Sequence, residues 1–284
     1  MTEAEGVLRS PFLSSLKGKS GILTGGTSGF GYEITKALAL HGANVAVFSI
    51  DEPPKYEKGD EAGTIEFRKF DILGSEAAEK MVRTTVDLFG DIDFVIANAG
   101  FAIRLEESLL SISAKKLAES MRVQFEVFPI AFATLAIEAA RVMAPKYESF
   151  PRDGTGHRRD SGSIVVTLSE AALNPLRDDL IAYAAAKKAC HWVMRSLAAT
   201  LGPKNIRVNG IAPGFANTQG PRKFYDRFPQ IRDDIESRVH LKPSFMDPGA
   251  VVPAVLYLLT DNYCTGEVIA LDGGYNIQLN RYFQ

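Results

Sequence analysis

The sequence predicts one α/β domain in which a mostly parallel sheet is covered by helices on both faces. Three observations lead there. Short apolar runs rich in β-branched residues recur along the chain, each about the length of a strand. Segments with apolar residues three and four apart, the helical spacing, fill most of the intervals between them. No internal repeat and no linker sets off a second domain. Strand then helix, repeated, requires crossover connections, and crossovers of that kind join parallel strands.

After a polar lead-in to about Lys19, the strand candidates are Gly21–Thr24, Asn44–Ser49, Thr64–Phe67, Phe94–Ala97, Ser163–Thr167, Ile206–Ile211 and Glu267–Leu271. A helical pattern runs from Tyr32 to His41. Ala78, Met81, Val82, Thr85 and Phe89 form a second helical face, with Ser75 as its N-cap and Gly90 closing it. A long alanine-rich helix covers Ala182–Leu201. Two stretches break the rhythm. Pro145–Gly162, with Arg152, Asp153, His157, Arg158 and Arg159, reads as an exposed polar loop. Asn217–Pro248, carrying Phe224, Tyr225 and Phe228, reads as a second irregular segment.

Of the 284 residues, 46% are hydrophobic and 23% charged, the balance of an ordinary globular chain long enough to need no covalent staples. A net charge of −2 argues against general affinity for nucleic acid or anionic membranes. Cys190 and Cys264 are too few for a disulfide framework and read as two buried free thiols. No stretch approaches the roughly 18 to 20 uninterrupted apolar residues of a membrane span. Met1–Gly6, with Glu3 and Glu5, lacks a signal pattern, and Arg281–Gln284 matches no retention or lipidation signal, so a cytoplasmic enzyme is the expectation.

The first strand runs directly into Thr24-Gly25-Gly26-Thr27-Ser28-Gly29-Phe30-Gly31. Gly25, Gly29 and Gly31 stand where a strand must turn sharply and its backbone approach a pyrophosphate. The helix that follows then presents unpaired N–H groups and a positive dipole end to the phosphates. The spacing is G-x-x-x-G-x-G rather than the dinucleotide-binding G-x-G-x-x-G, so position between strand and helix carries the reading.

Four patterns then fall in order: Thr24–Gly31, Asn98-Ala99-Gly100, Tyr183-x-x-x-Lys187 and Pro213-Gly214-x-x-x-Thr218. In that order and spacing the chain resembles the short-chain dehydrogenase/reductase family, from about Gly18 to Asp272-Gly273-Gly274. The resemblance implies a Rossmann-like, doubly wound domain with a seven-stranded parallel sheet. It divides the chain into an N-terminal extension, residues 1–17, and a dinucleotide-binding catalytic domain, residues 18–284, in which 219–248 form a substrate lid. It also implies a homotetramer or homodimer packed through the helices bearing Gln124 and Tyr183.

Carried onto this chain, the pattern gives the phosphates to Gly25, Thr27, Ser28, Gly29, Phe30 and Gly31. It gives the adenine to Asp71 and Ile72, although Asp71 could instead cap a helix. Asn98, Ala99 and Gly100 steady the centre near the ribose, while Pro213, Gly214, Phe215 and Thr218 hold the nicotinamide end. The position at the end of the second strand, where NAD-specific members carry an acid, is Ser49, which leaves room for a 2′-phosphate and favours NADP(H). Ile50 stands where NADP-specific members often have arginine, and Asp51, two positions late, can still reach a ribose, so NAD(H) stays open. Lys55, Lys58, Arg68 and Lys69 are candidate phosphate partners.

Tyr183 and Lys187 lie one turn apart on one helix face. A free tyrosine titrates near ~10. A neighbouring ammonium, together with the charge of oxidised nicotinamide, stabilises phenolate and draws that value toward neutrality. Ser169, fourteen residues before Tyr183, is the hydroxyl that would polarise the substrate oxygen, the family's usual separation being thirteen or close to it. Ser169 could instead cap the next turn, and Thr167 is the alternative. Gln124 stands where the family has an asparagine that holds a water chain to the lysine; its longer arm puts proton resupply in doubt.

The resemblance thus implies hydride transfer between nicotinamide and a carbonyl or secondary alcohol, with Tyr183 moving the proton and Lys187 binding the ribose. Phe101, Ala102, Leu173, Asn174 and Phe215 are candidate pocket residues, roofed by Phe224, Tyr225 or Phe228, and favour an apolar or cyclic substrate over a small charged acid. Two rivals stay open: a redox-neutral or specialised enzyme on the same scaffold, and a nucleotide-sensing binding protein.

Overall fold

The computed structural model describes residues 16–53, 63–149, 160–175 and 177–277. Lys55, Lys58, the polar stretch from Arg152 to Arg159, most of the N-terminal extension and Arg281–Gln284 lie outside the described residues.

A seven-stranded sheet, entirely parallel, has the order β3-β2-β1-β4-β5-β6-β7. The strands are β1 (Ser20–Thr24), β2 (Asn44–Ser49), β3 (Ile65–Lys69), β4 (Phe94–Ala97), β5 (Gly162–Thr167), β6 (Ile206–Pro213) and β7 (Val268–Leu271). Each differs from its expected bounds by at most two residues at either end. Most strands are dominated by apolar residues because successive side chains enter opposite cores, although β3 carries Glu66, Arg68 and Lys69 and β6 carries Arg207 and Asn209. Ile22, Val95, Ile164 and Val166 face one cluster, and Leu23, Phe94, Ile96 and Val165 face the other.

Helices α1 (Gly29–Leu40) and α9 (Val252–Thr260) cover the second cluster. Helices α2 (Ala77–Phe89), α4 (Ala131–Met143) and α6 (Ile181–Leu201) cover the first. Ala78, Met81, Val82 and Thr85 of α2 are buried as their spacing requires, and Gly90 ends the helix at φ +82, the left-handed conformation glycine adopts without cost. Its start differs from expectation: Glu76, not Ser75, occupies the N-cap, and its carboxylate pairs with Lys80 one turn on.

Helix α3 (Ala114–Phe125) continues through a π-turn, Glu126–Ile130, into α4 and then α5 (Pro145–Glu148). The expected polar loop therefore begins only after a further helical turn. The run Ala114–Glu148 is long and apolar enough to cross a membrane by length and composition, which apolar-run counting did not anticipate. Half of its apolar window is buried, with Val127, Phe128, Phe132, Leu135 and Ala136 in the core. The segment Asn217–Pro248, expected to be irregular, holds α7 (Gln219–Arg227) and α8 (Pro229–Arg238), separated where Pro229 opens a new first turn. Both lie on a small separate core of Tyr225, Ile235, Val239 and Tyr275. Cys190 is buried and Cys264 only half-buried; both are free thiols.

One ion pair fastens the far end of the sheet. Arg207 on β6 has no exposed surface. Its Nη2 donates to Asp160 Oδ2 at 2.7 Å, just before β5, and its Nη1 to the Leu258 carbonyl of α9 at 2.6 Å. Removing the carboxylate strands a buried cation. Because Asp160 retains 27% side-chain exposure, Asp160→Ala should cost about 2–3 kcal/mol in urea unfolding. Breaking the exposed Lys204–Glu148 pair should cost well under about 1 kcal/mol.

Candidate active site

The strand order reverses between β1 and β4, and a crevice opens above the C-terminal ends of the strands there. Three side chains hold its floor. Thr24 Oγ1 accepts the N–H groups of Asn98 and Ala99, each at 3.1 Å. Asn98 Nδ2 donates to the carbonyls of Thr24 and Gly25 at 3.3 and 3.1 Å, and Thr167 Oγ1 donates to Asn98 Oδ1 at 3.1 Å. Asn98 thus joins β1, β4 and β5.

The turn after β1 needs its glycines. Gly25 has φ +68, and a Cβ on Gly31 would fall 2.0 Å from the Gly25 carbonyl oxygen. Ser28, at the N-cap of α1, makes no side-chain cap, and no acid stands in the first turn. Among the described residues the positive end of α1 therefore faces the crevice without a side-chain cap, a cradle that fits a pyrophosphate. Gly25, Ser28, Gly29 and Phe30 line a continuous cavity of about 740 Å³, whereas Thr27 and Gly31 stand behind that lining.

Along the same cavity lie Ser49, Ile50, Asp51, Asp71 and Ile72. Ser49 is buried and shares a 2.8 Å hydrogen bond with Thr27. Asp71 caps no helix: it accepts the Leu73 N–H at 3.0 Å in the turn after β3, and it lines the cavity. Arg68 and Lys69 do not reach it; each pairs with a neighbouring carboxylate, Glu66 at 3.0 Å and Glu52 at 2.9 Å.

At the other end stand Asn98, Ala99, Gly100, Tyr183, Lys187, Pro213, Gly214, Phe215 and Thr218. Lys187 is 3% exposed; its Nζ donates to the Thr167 carbonyl at 2.7 Å and lies 3.8 Å from the centre of the Phe128 ring. Burial lowers this ammonium to about 8. The lowering expected for Tyr183 is not supplied by the chain alone. Burial, and then the carboxylate of Glu170, push its phenol above the ordinary range, opposed by the nearby Ser169 hydroxyl and by the charge of Arg104.

Ser169 takes its capping alternative: it opens the 3₁₀ turn Glu170–Ala172, accepting the Ala171 N–H at 3.2 Å, and it lines the same cavity as Tyr183. Its Oγ proton, however, goes to Glu170 Oε2 at 2.8 Å. Glu170, missed in the sequence, is 4% exposed and lines the cavity. The available signal was the separation: thirteen residues before Tyr183 stands Glu170, not Ser169.

Gln124 corrects another expectation. It is fully buried but does not line the cavity. Its Nε2 donates to the Phe101 carbonyl at 3.1 Å and its Oε1 accepts the Ile103 N–H at 3.3 Å. The longer arm spends its amide on the loop after Gly100 instead of presenting it to Lys187. Leu173 and Asn174 also lie outside the lining: Leu173 packs on the core and Asn174 bonds Asn276.

Of the lid aromatics, Phe224 and Tyr225 line the cavity, while Phe228 packs behind Phe224 with ring centres 4.9 Å apart. Two arginines that no motif signalled meet them. Arg104 and Arg177 share the carboxylate of Asp179 at 2.9 Å, and Arg104 stacks 3.6 Å from the Phe224 ring centre. Burial alone would raise Asp179, but Arg177 and Arg104 hold it below the usual carboxylate range.

A family model described as enoyl-(acyl carrier protein) reductase matches residues 25–276, spanning both ends of this cavity. The chain belongs to the short-chain dehydrogenase/reductase family. Short-chain dehydrogenase reductase 3c of Arabidopsis thaliana is 30% identical over 92% of this chain and 96% of that protein. The 2,5-dichloro-2,5-cyclohexadiene-1,4-diol dehydrogenase of Sphingobium indicum is 29% identical over 93% of this chain and 99% of that protein. Among solved structures, the NADPH-dependent 3-quinuclidinone reductase of Rhodotorula rubra shares the fold, with a TM-score of 0.78, 24% identity, and 95% and 96% of the two chains covered. As a short-chain dehydrogenase/reductase, the protein is an NAD(P)-dependent oxidoreductase.

Burial raises Glu170 from an ordinary 4.5 to about 7. The native state therefore binds the extra proton between those values; this contribution to stability is complete below about 4.5 and lost as the pH rises through about 7. Urea unfolding at about pH 5 and pH 7.5 should show wild type losing up to about 3 kcal/mol relative to Glu170→Gln.

Proposed function

We propose that this short-chain dehydrogenase/reductase exchanges hydride between NADP(H) and a cyclic or largely apolar ketone or secondary alcohol. The observation that carries the reading is the continuity of one cavity from the uncapped start of α1 to Tyr183 and Lys187, under Phe224 and Tyr225. Bound there, the nicotinamide supplies or takes up the hydride.

The chain's residues then have separate tasks. Tyr183 transfers the proton at the reacting oxygen, and its buried phenol favours donation over ionisation until a positive ring lies beside it. Lys187, anchored to the Thr167 carbonyl, has further donors for the nicotinamide ribose. Ser169 orients the substrate oxygen. Phe215, Phe224 and Tyr225 exclude water from the reacting atoms.

NADP(H) is favoured by size more than by charge. Ser49 is small and neutral where an acid would repel a 2′-phosphate, and its hydroxyl is steadied by Thr27. The nearest described cations, Arg68 and Lys69, are engaged by Glu66 and Glu52. A ring-bearing substrate agrees with the aromatic roof and with the cyclohexadiene diol named for the Sphingobium relative. Pairing of copies into a dimer or tetramer is supported by apolar surface on the helices bearing Gln124 and Tyr183, where Val123 is 38% and Trp192 68% exposed.

Two measurements test the reading. Tyr183→Phe should reduce ketone turnover about 10²–10⁴-fold while NADPH affinity stays within about threefold; undiminished turnover removes Tyr183 from the chemistry. Fluorescence titration should show NADPH binding at least about tenfold tighter than NADH. The reverse order would mean that Asp51 folds back onto the ribose.

A further inference from the structure

Hydride transfer as described leaves one buried ionisable group without a task. Glu170 is buried beside Ser169 and lines the cavity that reaches the tyrosine. Tyr183 and Lys187 face it from α6, Asp272 and Tyr275 from the segment after β7, and Tyr225 from the lid helix α7. No arginine is paired with it among the described residues.

A serine hydroxyl has one proton and two lone pairs. In Ser169 one lone pair accepts the Ala171 N–H, and the hydroxyl donates its proton to Glu170 Oε2 at 2.8 Å. While Glu170 is ionised, Ser169 has nothing to donate to a reacting oxygen. When Glu170 takes a proton from solvent, its O–H donates to the second lone pair of Ser169, and the serine proton turns toward the oxygen beside Tyr183. The exchange makes and breaks O–H bonds only, and the proton held by Glu170 is not consumed in turnover.

We propose that Glu170 is a positioning residue that acts through Ser169, setting by its own proton whether the serine hydroxyl points to the carboxyl or to the substrate oxygen. The proposal rests on the reading of Tyr183 as proton donor. Burial, opposed by the Ser169 hydroxyl and the Glu170 backbone N–H, and aided by Asp272 against Lys187, raises the carboxyl to about 7. The switch therefore operates within the physiological range. Carbonyl reduction is supported by the protonated state and fades as the pH rises through neutrality.

The test uses full-length protein saturated with NADPH and a simple cyclic ketone, cyclohexanone, as probe. In wild type, kcat/KM for reduction should fall about tenfold per pH unit above roughly 7. In Glu170→Gln the amide N–H₂ permanently imitates the protonated acid, so that limb should vanish and activity at about pH 8.5 should exceed wild type at least tenfold. Glu170→Asp should keep a limb at a displaced pH. A limb unchanged in Glu170→Gln, with NADPH binding intact, overturns the proposal. Infrared titration of the NADPH-bound protein gives a readout free of turnover. The C=O stretch of a protonated carboxyl should disappear near neutrality in wild type and be missing in Glu170→Gln. If that band never appears, the proposal fails even where ketone is reduced. If it titrates as expected while Tyr183→Phe remains fully active, the proton-donor reading fails instead.

Discussion

Between β1 and β4 neighbouring strands send their connections to opposite faces of the sheet, and the backbone there must stay apart to leave room for a ligand. Asn98 meets that constraint. Its amide nitrogen bonds two successive carbonyls on the β1 side while its oxygen accepts Thr167 on the β5 side. Polar backbone that opens into a crevice would otherwise be short of partners. Everything functional hangs from this junction: the turn that begins at Gly25, the loop that begins at Gly100, and Thr167, whose carbonyl anchors Lys187. The nucleotide end and the chemical end of the cavity thus share one rigid seam.

The same seam explains why the ionisable groups at the chemical end are so strongly perturbed. Packed over the strand ends, Lys187 and Glu170 are buried and Tyr183 half-buried, and for each of them burial is the largest influence. Burial favours the neutral form of each. Lys187, at about 8, stays largely protonated at neutral pH while Glu170, at about 7, is only partly ionised, so one added charge in this cluster shifts the others.

Much of this was legible in the amino-acid order. The strands could be read because burial on both faces makes most of them short runs dominated by apolar residues, and strands such as Asn44–Ser49 and Phe94–Ala97 match to the residue. The glycine turn and the Tyr183–Lys187 pair are local, a few residues across, and survive translation into three dimensions. What was not legible depends on distance in sequence or on a single side-chain bond. Arg104 and Asp179 are 75 positions apart, and nothing in either neighbourhood announces their contact. The lid was read as irregular because its two helices are short, polar on their outer faces and broken at Pro229, so apolar periodicity is weak. Gln124 was placed correctly in its helix, but only the structure shows its amide consumed by Phe101 and Ile103. Ser169 and Glu170 are adjacent, and a one-residue ambiguity in separation hid the acid.

The clasp of Arg104 on Phe224 has a mechanical meaning. Arg104 follows the loop residues that Gln124 holds, so Phe224 is tied to that loop through a cation–ring contact. Arg177 lies 5.5 Å from the same ring centre, and both arginines share Asp179, so a single carboxylate holds the pair against Phe224.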